Sequence, residues 1–115
     1  TALLQKGINE NPKDLPAYEV LKMATINGAK ALGLEDKVGS IEKGKCADII
    51  IINLEDVKLK PINDLISEVV YNVTGDNVVT TIVDGNILME NRCLTVSNEE
   101  EIYTKCEEII ERIKI

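Results

Sequence analysis

The residue types that usually carry catalysis are scarce in this sequence of 115 residues, which contains no histidine. Without an imidazole the chain cannot build a Ser-His-Asp triad, a histidine general base or the usual hydrolytic zinc site. Its serines and cysteines therefore lack the partner that would activate them as nucleophiles. We predict no catalytic, cofactor-binding or metal-binding residue within the chain.

A glycine-containing segment, residues 39–46, has the pattern of a phosphate-binding loop at all but its last position. Such a loop requires Ser or Thr where Cys46 stands, a strand before it and a helix after it. No strand pattern precedes Gly39, and a run of isoleucines follows the segment. We therefore predict a turn between two strands, in which Gly44 gives freedom in φ and Lys45 is solvated.

Paired carboxylates could perform acid–base chemistry without histidine. The candidates all lie at predicted turns or helix starts, where water keeps carboxylates ionised: Glu35 with Asp36, Glu55 with Asp56, and Glu99 with Glu100 and Glu101. We interpret them as a solvated surface. Asp48 differs because it directly precedes the isoleucine run. We expect it to accept backbone N–H bonds from the turn at Gly44 and Lys45, and a metal ligand is the alternative.

The charge balance and the cysteines exclude several protein classes. Lys and Arg number 13 against 20 Asp and Glu, and the net charge of −7 repels a phosphate backbone, so we predict no nucleic-acid partner. No apolar run approaches the roughly 20 residues of a membrane helix, and no signal peptide is visible, so we expect no membrane partner. Three cysteines without C-x-x-C spacing predict reduced thiols in a cytoplasmic protein.

Residues 1–34 have a helical pattern. Gly7 is a plausible end of the first helix, and Pro16 fits the first position of the second. An apolar stripe with helical spacing follows: Ala17, Val20, Leu21 and Ala24. Asn27 is a candidate cap for a short third helix that Gly33 ends.

Residues 38–94 have the pattern of strands. Four consecutive isoleucines, within a strand predicted at 47–54, favour a strand covered on both faces. Further strands are predicted at 66–73, 78–83 and 87–89. The Asp84-Gly85 pair between the last two is typical of a two-residue hairpin. An isoleucine strand at an exposed edge would promote aggregation, so it requires partners.

Residues 97–115 predict a C-terminal helix with acidic residues in its first turn. Its apolar stripe consists of Ile102, Cys106, Ile109, Ile110 and Ile113. Packing of this helix on its own domain is the preferred interpretation, and docking to a partner is the alternative.

Two segments close together resemble the C-terminal part of the amidohydrolase superfamily: residues 23–34, MATINGAKALGL, and residues 38–51, VGSIEKGKCADIII. Residues 79–89, with their Val83-Asp84-Gly85 turn, are also similar to that family. Within it, the chain looks most like the 5-methylthioadenosine/S-adenosylhomocysteine deaminases and the related chlorohydrolases. The similarity extends over nearly the whole chain.

The resemblance implies a parent enzyme with a (β/α)₈ barrel, a bound zinc or iron ion, and a second β-sandwich domain built from both chain ends. The parent reaction would be hydrolytic deamination of an adenosine derivative. The family's metal ligands and substrate-binding residues correspond to no position of this sequence. The chain would be an inactive C-terminal structural portion whose partner is the missing N-terminal barrel region.

We therefore predict an α+β fold in three parts. Residues 1–34 would be the terminal helices of the barrel, residues 35–96 the C-terminal part of the β-sandwich, and residues 97–115 a helix packed on it. In the absence of the barrel, the exposed strand edges would favour a homo-oligomer. The alternative is a stand-alone acidic β-sheet interaction module that docks through the helix at 97–115.

Overall fold

The structure is a computed structural model that describes residues 2–11 and 13–113. Five α-helices are present: α1 Ala2–Ile8, α2 Ala17–Ala24, α3 Ile26–Ala31, α4 Leu65–Tyr71 and α5 Glu99–Ile113. Four strands form one sheet: β1 Ile49–Ile52, β2 Val78–Val83, β3 Asn86–Glu90 and β4 Cys93–Leu94. The mixture of helices with a small antiparallel sheet confirms the α+β prediction.

The N-terminal helices lie where the sequence predicts them, with shifted ends. Helix α1 continues through Gly7 to Ile8, so the expected stop at Gly7 is one residue early. Pro16 is the residue before the first turn of α2. Helix α3 begins at Ile26, which places Asn27 inside the helix rather than at its cap. Gly33 ends this region with a φ of +68°, a conformation that glycine adopts without strain.

The sheet is antiparallel with strand order β1-β2-β3-β4. The predicted hairpin joins β2 to β3, and both turn residues, Asp84 and Gly85, have positive φ, at 49° and 78°. This confirms the two-residue turn. A second turn of the same kind, at Asn91 and Arg92, joins β3 to β4.

The strand predicted at residues 66–73 is wrong, because the chain forms helix α4 there. Asp64 caps this helix by accepting a 2.9 Å hydrogen bond from the backbone N–H of Ser67. Ile66, Val69 and Val70 have the i, i+3, i+4 spacing of one helical face, and all three are half-buried. Cap and helical spacing together outweigh the strand preference of the β-branched residues.

Strand β1 is shorter than the predicted strand at 47–54 and lies at one edge of the sheet. Ile50 and Ile51 are 55% and 50% exposed, so the expected cover on both faces is not provided within the described residues. Ile50 and Ile51 are successive residues and point to opposite faces, so both faces of β1 lack full cover. Pairing with β2 alone also leaves one edge of β1 open.

Few apolar side chains are buried in the described residues, namely Ala2, Ala29 and Leu59. The radius of gyration is 18.6 Å, whereas a compact domain of this length has about 13 Å. No residue of α5 is buried, so the expected packing of this helix on the sheet is wrong for this chain.

The division of the chain at residues 34 and 96 stays a prediction. Within residues 2–11 and 13–113 we find no helix with the length and hydrophobicity to span a membrane.

Candidate functional site

The turn at residues 39–46 lies against helix α3. Gly39 has a φ of +92°, and a Cβ atom placed on it would lie 2.8 Å from Cβ of Ala29 and 2.9 Å from Cα of Ile26. Only glycine fits this contact. Strand β1 follows the turn, but helix α3 is the element before it among the described residues, so the predicted turn between two strands is wrong in its first strand. With a strand rather than a helix after it, the segment lacks the arrangement of a phosphate-binding loop.

Three side chains of this turn form a closed polar cluster. The Lys45 ammonium donates a 2.6 Å hydrogen bond to Ser40 Oγ and lies 3.6 Å from Glu42 Oε1. Ser40 Oγ donates to the Glu42 carboxylate. The prediction that Lys45 is solvated is wrong, because only 13% of its side chain is exposed.

The contacts among Ser40, Glu42 and Lys45 also change the pKa of Glu42. The hydrogen bond from Ser40, with the nearby charge of Lys45, lowers the pKa of Glu42. Since the ammonium of Lys45 is already paired with Glu42, it is not free for a phosphate group. The cluster therefore holds the turn together.

Asp48 connects the start of β1 to the β2–β3 hairpin. Its Oδ1 accepts a 2.8 Å hydrogen bond from the backbone N–H of Asp84, and the Ala47 carbonyl accepts a 3.1 Å bond from Gly85. The expected structural role is confirmed, but the donor belongs to the hairpin rather than to the turn at residues 44 and 45. Nothing in the sequence indicates this pairing, because 36 residues separate the two partners.

The thiol of Cys46 lies at the same junction. A hydrogen bond to the Asp84 carboxylate, together with desolvation, raises the pKa of Cys46. A thiol that stays protonated is a poor nucleophile and a poor metal ligand. All three cysteines, Cys46, Cys93 and Cys106, are free, as predicted.

The expectation of a solvated pair at Glu35 and Asp36 is wrong for Glu35, whose Oε2 is buried without a hydrogen-bond partner among the described residues, whereas Asp36 is exposed. The other paired carboxylates do not form a catalytic site. Asp56 accepts hydrogen bonds from the Lys58 backbone at 3.0 Å and from Asn77 Nδ2 at 3.2 Å, and these bonds lower the pKa of Asp56. Its neighbour Glu55 is exposed, as is the whole first turn of α5. Over residues 2–11 and 13–113, no three His, Cys, Asp or Glu side chains converge as metal ligands. The donors of this chain, which has no histidine, do not fit a hydrolytic zinc site.

An open apolar groove of about 640 Å³ lies between the helices and the sheet. Helices α2 and α3 line one side, and the turn at Gly39 with the start of β1 lines the other. Its apolar lining includes Leu21, Ala24, Ala29, Leu32, Ile41, Ile49 and Ile50. Within the described part of the chain, its polar lining side chains are Thr25, Ser40 and Asp48, and Asp48 is held by the hairpin. The groove is suited to apolar packing rather than to catalysis.

The sequence matches the model of the amidohydrolase family over residues 1–88. The chain belongs to the amidohydrolase family. It is 50% identical over 114 residues to a 5'-deoxyadenosine deaminase of Methanobrevibacter smithii, and it spans 26% of that relative. It is 46% identical over 112 residues to a 5-methylthioadenosine/S-adenosylhomocysteine deaminase of Acetivibrio thermocellus, again spanning 26%.

Solved structures show the same relationship for this amidohydrolase chain. A crystal structure of an adenosine deaminase from Xanthomonas campestris with bound zinc aligns with 98% of the chain, with a TM-score of 0.89 and 28% identity. Atrazine chlorohydrolase from Arthrobacter aurescens, complexed with zinc, aligns with 84% at a TM-score of 0.73 and 30% identity. The chain covers 26% and 21% of these two structures.

The chain thus spans about a quarter of the length of the relatives it matches. These findings confirm the family resemblance and the interpretation of the chain as a portion of a longer enzyme. They give no support to the alternative of a stand-alone interaction module.

Proposed function

We propose that the parent of this chain is an aminohydrolase that releases ammonia from an adenosine derivative. The observation that carries the proposal is the 50% identity, over 98% of the chain, to a 5'-deoxyadenosine deaminase. The relatives named as 5-methylthioadenosine/S-adenosylhomocysteine deaminases support the same substrate class. We expect zinc or iron in the parent, since the similar adenosine deaminase structure carries zinc. Its ligands would be residues outside this chain.

The role of this chain would be structural. The polar side chains of the clusters around Ser40, Asp48 and Asp56 are engaged in turns and caps, whereas Glu35 Oε2 and the Tyr71 hydroxyl are buried without a partner in the described part of the chain. The apolar surfaces of the chain, in contrast, are open. We propose that the groove beside α2 and α3 and the open edge of β1 receive the barrel region of the parent. Self-association through the edge of β1 is the alternative when that region is absent.

The test compares two proteins, the full-length parent and the 115-residue chain. With 5'-deoxyadenosine, 5-methylthioadenosine and S-adenosylhomocysteine as substrates, we expect the parent to release ammonia and the 115-residue chain to release none. Ammonia release by the chain alone would refute the structural role. No release by the metal-loaded parent from any of the three would refute the proposed activity.

A second activity, dechlorination of a triazine, is supported by the similarity to atrazine chlorohydrolase. Chloride release from atrazine by the same parent preparation distinguishes the two activities. We expect deamination to dominate, because the deaminases of Methanobrevibacter smithii and Acetivibrio thermocellus are 50% and 46% identical to the chain and the chlorohydrolase is 30% identical. The three free cysteines support a cytoplasmic location for the parent.

A further inference from the structure

We draw no further inference here: the strongest candidate, the open edge of strand β1 beside the groove lined by α2 and α3, belongs to the surface that we already assign to the barrel region of the parent, and nothing in the structure shows whether that region or a second copy of the chain covers it.

Discussion

Two regions of this chain differ in how many of their side chains find interaction partners in other parts of the same chain. At the junction of the turn at 37–48 with the β2–β3 hairpin, polar groups find partners in the chain itself. Cys46 donates its backbone N–H to Lys37, and Asp48 accepts from Asp84, both at 2.8 Å. Helix α5, in contrast, has only local bonds, such as the 2.9 Å bond from the Thr104 hydroxyl to the Glu100 carbonyl.

The difference shows which kind of interaction a fragment retains. Hydrogen bonds between neighbouring strands and turns need only the residues on either side of them. Burial of an apolar face needs a second layer, which the described residues of this chain, about a quarter of the length of its relatives, do not provide. The polar junction is therefore complete, whereas β1, α5 and the groove beside α3 show their apolar sides to solvent.

Hydrogen exchange of the isolated 115-residue chain gives the largest expected contrast. Amides of β2, which is paired on both sides, should exchange about 100-fold more slowly than those of α5, because α5 opens without exposing a core. Mass spectrometry after proteolysis measures both in one sample. Equal exchange rates for the amides of β2 and α5 in the isolated chain would contradict the difference between the polar junction and α5.

Substitution of Gly39 tests whether the helices and the sheet are joined at the turn. In the full-length parent, Gly39→Ala should lower the free energy of unfolding by about 3 kcal/mol, through strain at positive φ and the clash with α3. Gly44→Ala is the matched control, since Gly44 also has a positive φ, +97°, but no atom near its Cβ position. We expect about 1 kcal/mol for the control by urea unfolding. Equal losses would show that the contact with α3 contributes nothing.

The sequence predicts those parts of the fold that depend on local signals. The Asp84-Gly85 turn, the strands at β2 and β3 and the helix at α5 each carry a pattern that needs no distant partner. The β-branched residues at 66–73 predict a strand, whereas the cap at Asp64 and the helical spacing of Ile66, Val69 and Val70 produce helix α4.

The candidate site was less accessible from the sequence. The hydrogen bond between Asp48 and Asp84 joins residues 36 positions apart, and spacing in the sequence carries no signal for it. The burial of Lys45 likewise depends on how the turn closes, with Ser40 and Glu42 brought to the same side. The exposure of the isoleucines in β1 could not be predicted, because the pattern that indicates cover does not say which chain segment provides it.

Asp48→Ala tests the polar junction directly. Loss of the acceptor for the Asp84 N–H should lower the free energy of unfolding of the parent by about 1–2 kcal/mol. Asp48→Asn is the matched variant, because its amide oxygen can still accept this bond, and it should cost less than the alanine substitution. Urea unfolding measures both. If the two variants lose the same stability, the negative charge rather than the hydrogen bond supports the junction.

Acid should weaken the turn at residues 39–46 through Glu42, and this is the smallest effect. The Ser40 hydrogen bond and the Lys45 charge lower the pKa of Glu42 in the folded chain below its usual value of 4.5. The stabilisation is therefore complete above that value and is lost as the pH falls through the lower, folded pKa. In Glu42→Gln, whose amide does not titrate, the urea midpoint should fall less between about pH 6 and about pH 3 than in the unmodified parent.

Glu55→Gln, at an exposed carboxylate, is the control, and its urea midpoint should depend on pH as much as that of the unmodified parent. Identical pH profiles for Glu42→Gln and the unmodified parent would mean that the Ser40–Glu42–Lys45 cluster stabilises the turn independently of the charge on Glu42.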